Sequence, residues 1–255
     1  MSAAVPWYFL PQFRPARLQD CVFWLEADSF NGGIWRNLIP NSANTSHGIA
    51  YGGVGLSTWH PCANPIPEFH AEDDYIDLPM DIVFDDEMSI EMIVEFHDNA
   101  GYGRAIGSQH TLGSNYEIRT WLSDTHMLYF YVGNGSTLNY LGFKLDDWYV
   151  KTHVVWTWKY DLGADQTTLK AYKDGEYQNS KTFAGKVQLP DVNLRLGHWE
   201  DRPMNGKIYL ARFYHKVLSD DEILHNYTHH PLYYLQRGID PYEVIAAATA
   251  AAPSI

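Results

Sequence analysis

The stretch WYVKTHVVWTWKYDLGADQTTLKAYKDGEYQNSKTFAGKVQLPDVNLRLG, Trp148 to Gly197, decides the fold. Tyr149, Lys151, His153, Val155 and Thr157 point one way, and Val150, Thr152, Val154, Trp156 and Trp158 the other, the period-two pattern of a strand. A polar gap, Asp161 to Gln166, leads into a second strand, Thr167 to Lys173. Asp174-Gly175 supplies the left-handed dihedrals of a tight hairpin turn, and Glu176 to Phe183 runs back. Asn193 to Leu196 begins another strand. No catalytic spacing occurs here, so the block reads as sheet scaffolding, which points to a surface rather than a pocket.

Working outward, Cys21 to Glu26 reads as a short strand and Asn31 to Gly55 as a turn-rich excursion. Phe69 to Pro79 is a loop entering a strand, and Ser89 to His97 alternates with Ile90, Met92, Val94 and Phe96 on one face. Arg104–Ser108, Tyr116–Leu122, Met127–Val132 and Leu138–Phe143 are further strands, with a turn at Gly133-Asn134-Gly135; Lys207–Tyr214 is the last. Ser219 then caps a short helix with Glu222 as its box partner, ending near Tyr227 ahead of Pro231. The chain is expected to be all-β: a two-sheet antiparallel jelly-roll sandwich with one short C-terminal helix. An N-terminal arm (1–19) and a C-terminal extension (231–255) flank the domain at 20–230.

A chain of 255 residues suits one large sandwich. Its formal charge of −13 argues against binding a nucleic-acid backbone. No run of about 18 apolar residues marks a membrane span. No basic segment precedes an apolar run at the N-terminus, so a secretory signal is not expected, and Asn44, Asn134 and Asn226 read as chance glycosylation triplets. Cys21 and Cys62, the only cysteines, are expected as free thiols.

The order Phe69…Asp74-Tyr75-Ile76-Asp77-Leu78-Pro79, Ser89-Ile90-Glu91-Met92, Tyr172-Lys173-Asp174-Gly175 and Leu194-Arg195-Leu196-Gly197 resembles the concanavalin A-like, laminin-G-like jelly-roll superfamily. Phe213 to Ile223 is similar to its closing strand and short helix. The resemblance covers about residues 20 to 230 and implies the fold; the superfamily includes lectins, adhesion modules, hydrolases and virion proteins. The ends, His230 to Gly238 followed by Ala246 to Ala252, are similar to members encoded among tailed-bacteriophage structural genes. That resemblance implies a virion protein, foremost a capsid decoration protein, made in the host cytoplasm and resident on the capsid surface. Its partners would be the major capsid protein or other virion proteins and further copies of itself. Trp7, Tyr8, Phe9, Phe13, Tyr233, Tyr234 and Tyr242 in the arms are the expected partner contacts.

Chemistry is weighed against plainer readings. Glu91 and Glu95 share a strand face but lack the middle aspartate of the superfamily's hydrolase signature, so they read as solvent-facing and the protein as non-enzymatic. His225, His229 and His230 crowd one short helix without the glutamate of a metalloprotease helix, and His60, His70, His110 and His126 have no ligand spacing. Glu72-Asp73-Asp74, Asp85-Asp86-Glu87 and Asp146-Asp147 could attract calcium but match no calcium loop, so no cofactor is expected. The alternative function is a lectin-like carbohydrate-binding module. Tyr129, Tyr131, Tyr140, Trp156, Trp158 and Trp199 are its candidate aromatics, with Trp156, Trp158 and Trp199 foremost.

Overall fold

The computed structural model describes residues 13–26, 29–39, 47–59, 62–70, 73–79, 85–98, 104–108, 116–188, 193–199, 202–241, 243–244 and 246–247. The first half contributes β1 (Cys21–Glu26), β2 (Phe30–Asn31), β3 (Ile34–Trp35), β4 (Gly48–Tyr51), β5 (Gly55–Trp59), β6 (Cys62–Phe69), β7 (Tyr75–Asp77), β8 (Glu87–Phe96) and β9 (Ile106–Ser108). Next come β10 (Ile118–Leu122), β11 (Met127–Gly133), β12 (Leu138–Lys144), β13 (Thr152–Asp161), β14 (Gln166–Lys173) and β15 (Glu176–Ala184). The chain closes with β16 (Leu194–Leu196), β17 (His198–Trp199), β18 (Arg202–Pro203), β19 (Gly206–Tyr214), and helices α1 (Asp220–Thr228) and α2 (Pro231–Leu235).

Two antiparallel sheets form the sandwich. Sheet one runs β15-β14-β13-β8-β19-β6-β5, with β1 also paired to β19; sheet two runs β12-β11-β10-β9-β16-β7-β4-β3-β2. Alternation along each strand sends one row inward. Ile90, Met92, Val94 and Phe96 of β8 meet Val154, Trp156 and Trp158 of β13, and Leu128, Phe130 and Val132 arrive from sheet two. Phe130 stacks on Trp156 at 4.8 Å, so the two sheets interlock through aromatic planes.

Turn chemistry holds as expected at Asp174-Gly175. Both residues have positive φ, 51° and 81°, the primed turn whose twist matches a two-residue hairpin. The Ser219 capping box is present, with its hydroxyl accepting from the Glu222 amide and the Glu222 carboxylate accepting from the Ser219 amide. Pro231 does not leave an extended tail behind it. It opens α2 from the first-turn position, where a missing amide is no loss.

A second apolar cluster lies on the outer face of sheet one. Trp24, Ile93, Val155, Tyr172, Leu210 and Tyr214 meet Phe13 from the N-terminal segment, Ile223 of α1 and Leu232 of α2. The central strands β8, β13 and β19 of sheet one are therefore buried on both faces, and packing continues across residue 230 into the C-terminal segment. None of the helices among the described residues is long and apolar enough to cross a membrane.

Candidate functional site

The outer row of sheet one holds an ion network, not the solvent-facing carboxylates expected. Glu91 has no exposed surface and Glu95 is nearly as enclosed. The Glu91 carboxylate accepts from Tyr214 Oη at 2.6 Å, His153 Nε2 at 2.8 Å and Asn226 Nδ2 at 3.0 Å, and it pairs with Arg212 Nη1 at 3.4 Å. Arg212 Nη2 reaches Glu26 at 3.1 Å, and Glu26 also meets His230 Nε2. Burial works against the Glu91 charge, but Arg212, His153 and the Tyr214 hydroxyl outweigh it and pull the carboxyl down to about 2. Glu95 belongs to a separate group, bonded to Tyr209 Oη at 2.7 Å and His97 at 3.0 Å, with Lys151 at 3.3 Å. Neither acid is free to protonate or attack a bond. Glu91 ties α1 to the sheet through Asn226, Glu26 ties the start of α2 to it through His230, and Glu95 links neighbouring strands of the sheet.

The outer face of sheet two is built differently. Inward Ile118, Leu122, Leu128, Phe130 and Val132 force their neighbours outward, so Arg119, Trp121, Tyr129 and Tyr131 project together. Antiparallel register sets Arg119 opposite Tyr131, Trp121 opposite Tyr129, and Tyr131 opposite Tyr140. The four rings touch. Tyr131 and Tyr140 lie 5.1 Å apart, Trp121 and Tyr129 5.8 Å, and Trp121 and Tyr131 are stacked at 6.0 Å. Opposite Tyr129 stands Gly142, where an added Cβ would sit 2.6 Å from the Tyr129 ring, so the small residue makes room for the platform.

Cations rim these rings. Arg119 lies over Tyr131 at 4.8 Å and is 3.2 Å from Glu117, Arg104 lies over Trp121 at 5.7 Å, and Lys181 of β15 lies over Tyr140 at 5.0 Å. Burial pushes the Tyr131 hydroxyl up to about 12 against the pull of Arg119 and Arg104, which keeps it a neutral donor. Tyr140 is 47% exposed, and Trp121 and Tyr129 are half-buried. Farther along this face Tyr51 stacks on Tyr75 at 5.0 Å, and Arg195 covers Tyr75 at 4.0 Å while bonding Asp77.

Several expected site residues fall elsewhere. Trp156 and Trp158 are 0% and 1% exposed inside the sandwich, so they are core and not sugar contacts. The Trp199 side chain lies outside the described residues, as do Trp7, Tyr8, Phe9 and Tyr242. Phe13 is buried in the second cluster and Tyr234 packs against it, while Tyr233 touches Tyr227 and Arg237; all three contact their own domain. Trp121, Arg119 and Arg104 escape the sequence reading, although the alternation Arg119-x-Trp121 marks the first two. Asn226 is buried against Glu91. Cys21 is a free, buried thiol, raised to about 12 by burial, and the Cys62 side chain is outside the described residues.

No group of three metal-ligating side chains occurs among the described residues. His225 and His229 stack on each other at 3.9 Å. His126 packs edge-on to Trp148, His70 is exposed, and His60 and His110 lie outside the described residues. The acidic loops hold protein donors instead. Asp74 accepts from the Gly53 and His70 amides, Asp86 pairs with Lys186, Glu87 with Lys159, and Asp146 with Lys173. Glu72 lies outside the described residues.

Similar architectures occur in solved structures. Domain 4 of AbnA, a GH43 extracellular arabinanase from Geobacillus stearothermophilus, in complex with arabinotriose, superposes with a TM-score of 0.60 at 16% identity, over 80% of this chain and 97% of that one. The binding domain of botulinum neurotoxin DC in complex with SialylT gives 0.60 at 12% identity, over 81% and 50%. The receptor-binding domain of botulinum neurotoxin type G gives 0.59 at 12%, over 82% and 51%. At these identities the likeness is one of fold, and this chain spans about half the length of the two toxin chains. No curated protein matches the chain significantly by sequence. The Laminin_G_3 family model, described as the concanavalin A-like lectin/glucanases superfamily, matches residues 70–224, and the chain belongs to that superfamily.

Proposed function

We propose that this protein is a non-catalytic carbohydrate-binding module that takes a sugar chain on the outer face of β10, β11 and β12. The observation that carries this reading is the platform of Trp121, Tyr129, Tyr131 and Tyr140, four touching rings bordered by Arg119, Arg104 and Lys181. Aromatic rings present large apolar faces to the C–H faces of sugars, and nearby polar groups fix orientation through hydroxyls. The fold neighbours solved with arabinotriose and with SialylT support the same class of ligand. On sheet one the corresponding face is filled by α1, α2 and the N-terminal segment. The buried positions of Glu91 and Glu95 support a binding role over hydrolysis. A glycan array followed by calorimetry tests the proposal. Tyr140→Ala and Tyr129→Ala should each weaken the best array ligand at least tenfold, the ratio that about 1.4 kcal/mol represents, at an unchanged urea midpoint. Absence of array binding, or undiminished affinity in both variants, refutes it.

A second reading places the module on a phage virion as a decoration protein. It is favoured by one observation: both terminal segments gather on sheet one, where the Ala16 amide donates to Asn226 and Leu232 joins the same cluster as Phe13. That side would face the major capsid protein, and the net charge of −13 would keep the coated particle soluble. Full-length protein mixed with undecorated capsids tests this, and failure to bind any virion component refutes it.

A further inference from the structure

We infer that the histidines of α1 and α2 form an acid-released latch that holds both terminal segments against sheet one. The inference is independent of the glycan reading. His230 is the N-cap of α2: its Nδ1 accepts from the Leu232 amide at 3.1 Å, and its Nε2 faces Glu26 Oε1 at 3.1 Å. A carboxylate only accepts, so the ring proton sits on Nε2 and Nδ1 must keep its lone pair. A second proton has one place to go, Nδ1, where it would oppose the Leu232 N–H and remove the cap. Glu26 cannot serve as a dedicated counter-ion, because its other oxygen already binds Arg212 Nη2 at 3.1 Å.

One turn earlier the His225 and His229 rings stack at 3.9 Å with 20° between planes. Two imidazolium rings in that arrangement would repel. His225 Nε2 lies 3.3 Å from the Arg14 carbonyl oxygen, so the same pair touches the N-terminal segment. That segment is held further by Phe13 in the cluster and by the Ala16 amide on Asn226. The C-terminal segment is held by Leu232, Tyr234 and Leu235. One helix thus contacts both described terminal segments.

Charged groups surround the latch on every side. Glu26 comes from β1, Glu91 from β8, His153 from β13, and Arg212 with Tyr214 from β19. On α1 itself Asp220 binds Tyr172, Glu222 binds Lys216 and lies near Arg17, and Asp174 of the β14–β15 turn acts on Tyr227. Burial holds His230 below the usual imidazole range, with Glu26 opposing and Arg212 and His153 adding to the effect. Burial, then the charge of His229, lowers His225 in the same direction. The docked state therefore refuses protons that released segments accept. Docking is at full strength above the ordinary imidazole pKa of 6.5 and weakens as pH falls below it.

The test is amide hydrogen exchange on the full-length chain from pH 7.5 to 5.0, corrected for intrinsic rates. Reporter amides are Ala16, Tyr233, Gln236 and Ile239, with the β8, β13 and β19 ladders as reference. Below about pH 6.5 the reporters should lose protection about tenfold per pH unit for one linked histidine, and about a hundredfold for two, while the ladders stay protected. His230→Gln should flatten that slope, and His225→Gln provides the same comparison if the first variant folds poorly. Three results overturn the latch: reporters unchanged down to pH 5.0, ladders and reporters lost together, or both variants keeping the wild-type slope.

Discussion

Gly175 offers a way to separate backbone strain from tertiary contact. Its φ of +81° lies where a side chain is disfavoured, and a Cβ there would sit 2.9 Å from Tyr227 Cδ1 and 3.1 Å from Leu224 Cδ1. The hairpin turn is therefore pressed beneath α1. Gly32 has a comparable φ of +59° but nothing within 4 Å of its would-be Cβ. Alanine at Gly32 should cost only the left-handed penalty, about 1–2 kcal/mol. Alanine at Gly175 should cost that plus the overpacking of a filled site, about 1–3 kcal/mol more. Part of the excess is relieved because Leu224 is 45% exposed and its side chain has somewhere to go. Urea denaturation of both variants, read as midpoint at constant slope, gives the two values. Gly175→Val adds a β-branch and should exceed both. Equal losses for the two alanine variants would refute the claim that the turn carries α1.

Two further predictions concern the buried ions. Arg212→Met leaves Glu26 and Glu91 enclosed without their shared cation and should destabilise the domain by about 3–5 kcal/mol; adding Glu91→Gln should recover part of this, and strictly additive losses in urea would contradict the pairing. Glu91 is lowered from 4.5 to about 2, so its contribution is fully present above pH 4.5 and is lost as pH falls through 2. That interval corresponds to roughly 3 kcal/mol, and Glu91→Gln should flatten the acid limb of a stability–pH curve there, a change that an unaltered limb would exclude.

The sequence discloses the sandwich where strands are long and alternating. β14 and β15 stand within one residue of where the sequence puts them, because alternation and the Asp174-Gly175 turn agree, whereas β13 begins three residues later than read, at Thr152, because Tyr149 has a left-handed backbone with a φ of 59°. β5 and β6 go unseen. Pro65 and Pro67 break the strand signal, yet β6 tolerates them because it meets β19 only through Glu68 and Phe69 and otherwise pairs with the edge strand β5. Alternation also misplaces whole faces. Trp156 and Trp158 share a face in the sequence, but only the opposing sheet reveals that this face is inward. Glu91 and Glu95 read as wet because polar alternates normally face water, whereas the Glu91 partners Arg212 and His153 lie 121 and 62 residues away and the Glu95 partner Tyr209 lies 114 residues away. The aromatic platform was half visible in Tyr129, Tyr131 and Tyr140. Trp121 and Arg119 join it through cross-strand register, which a single chain does not display.

The double burial of β8, β13 and β19 gives the molecule a back and a front. Both described terminal segments are fastened behind sheet one, whereas the ring platform looks out from sheet two, about 10 Å of packed core away. A partner that touches either described terminal segment meets the back of the molecule. In an array of copies mounted that way, the platforms would all point outward and could engage one multivalent surface together. Weak single contacts would then add up through effective concentration, reaching avidity gains of about 10²–10⁴ when spacing permits.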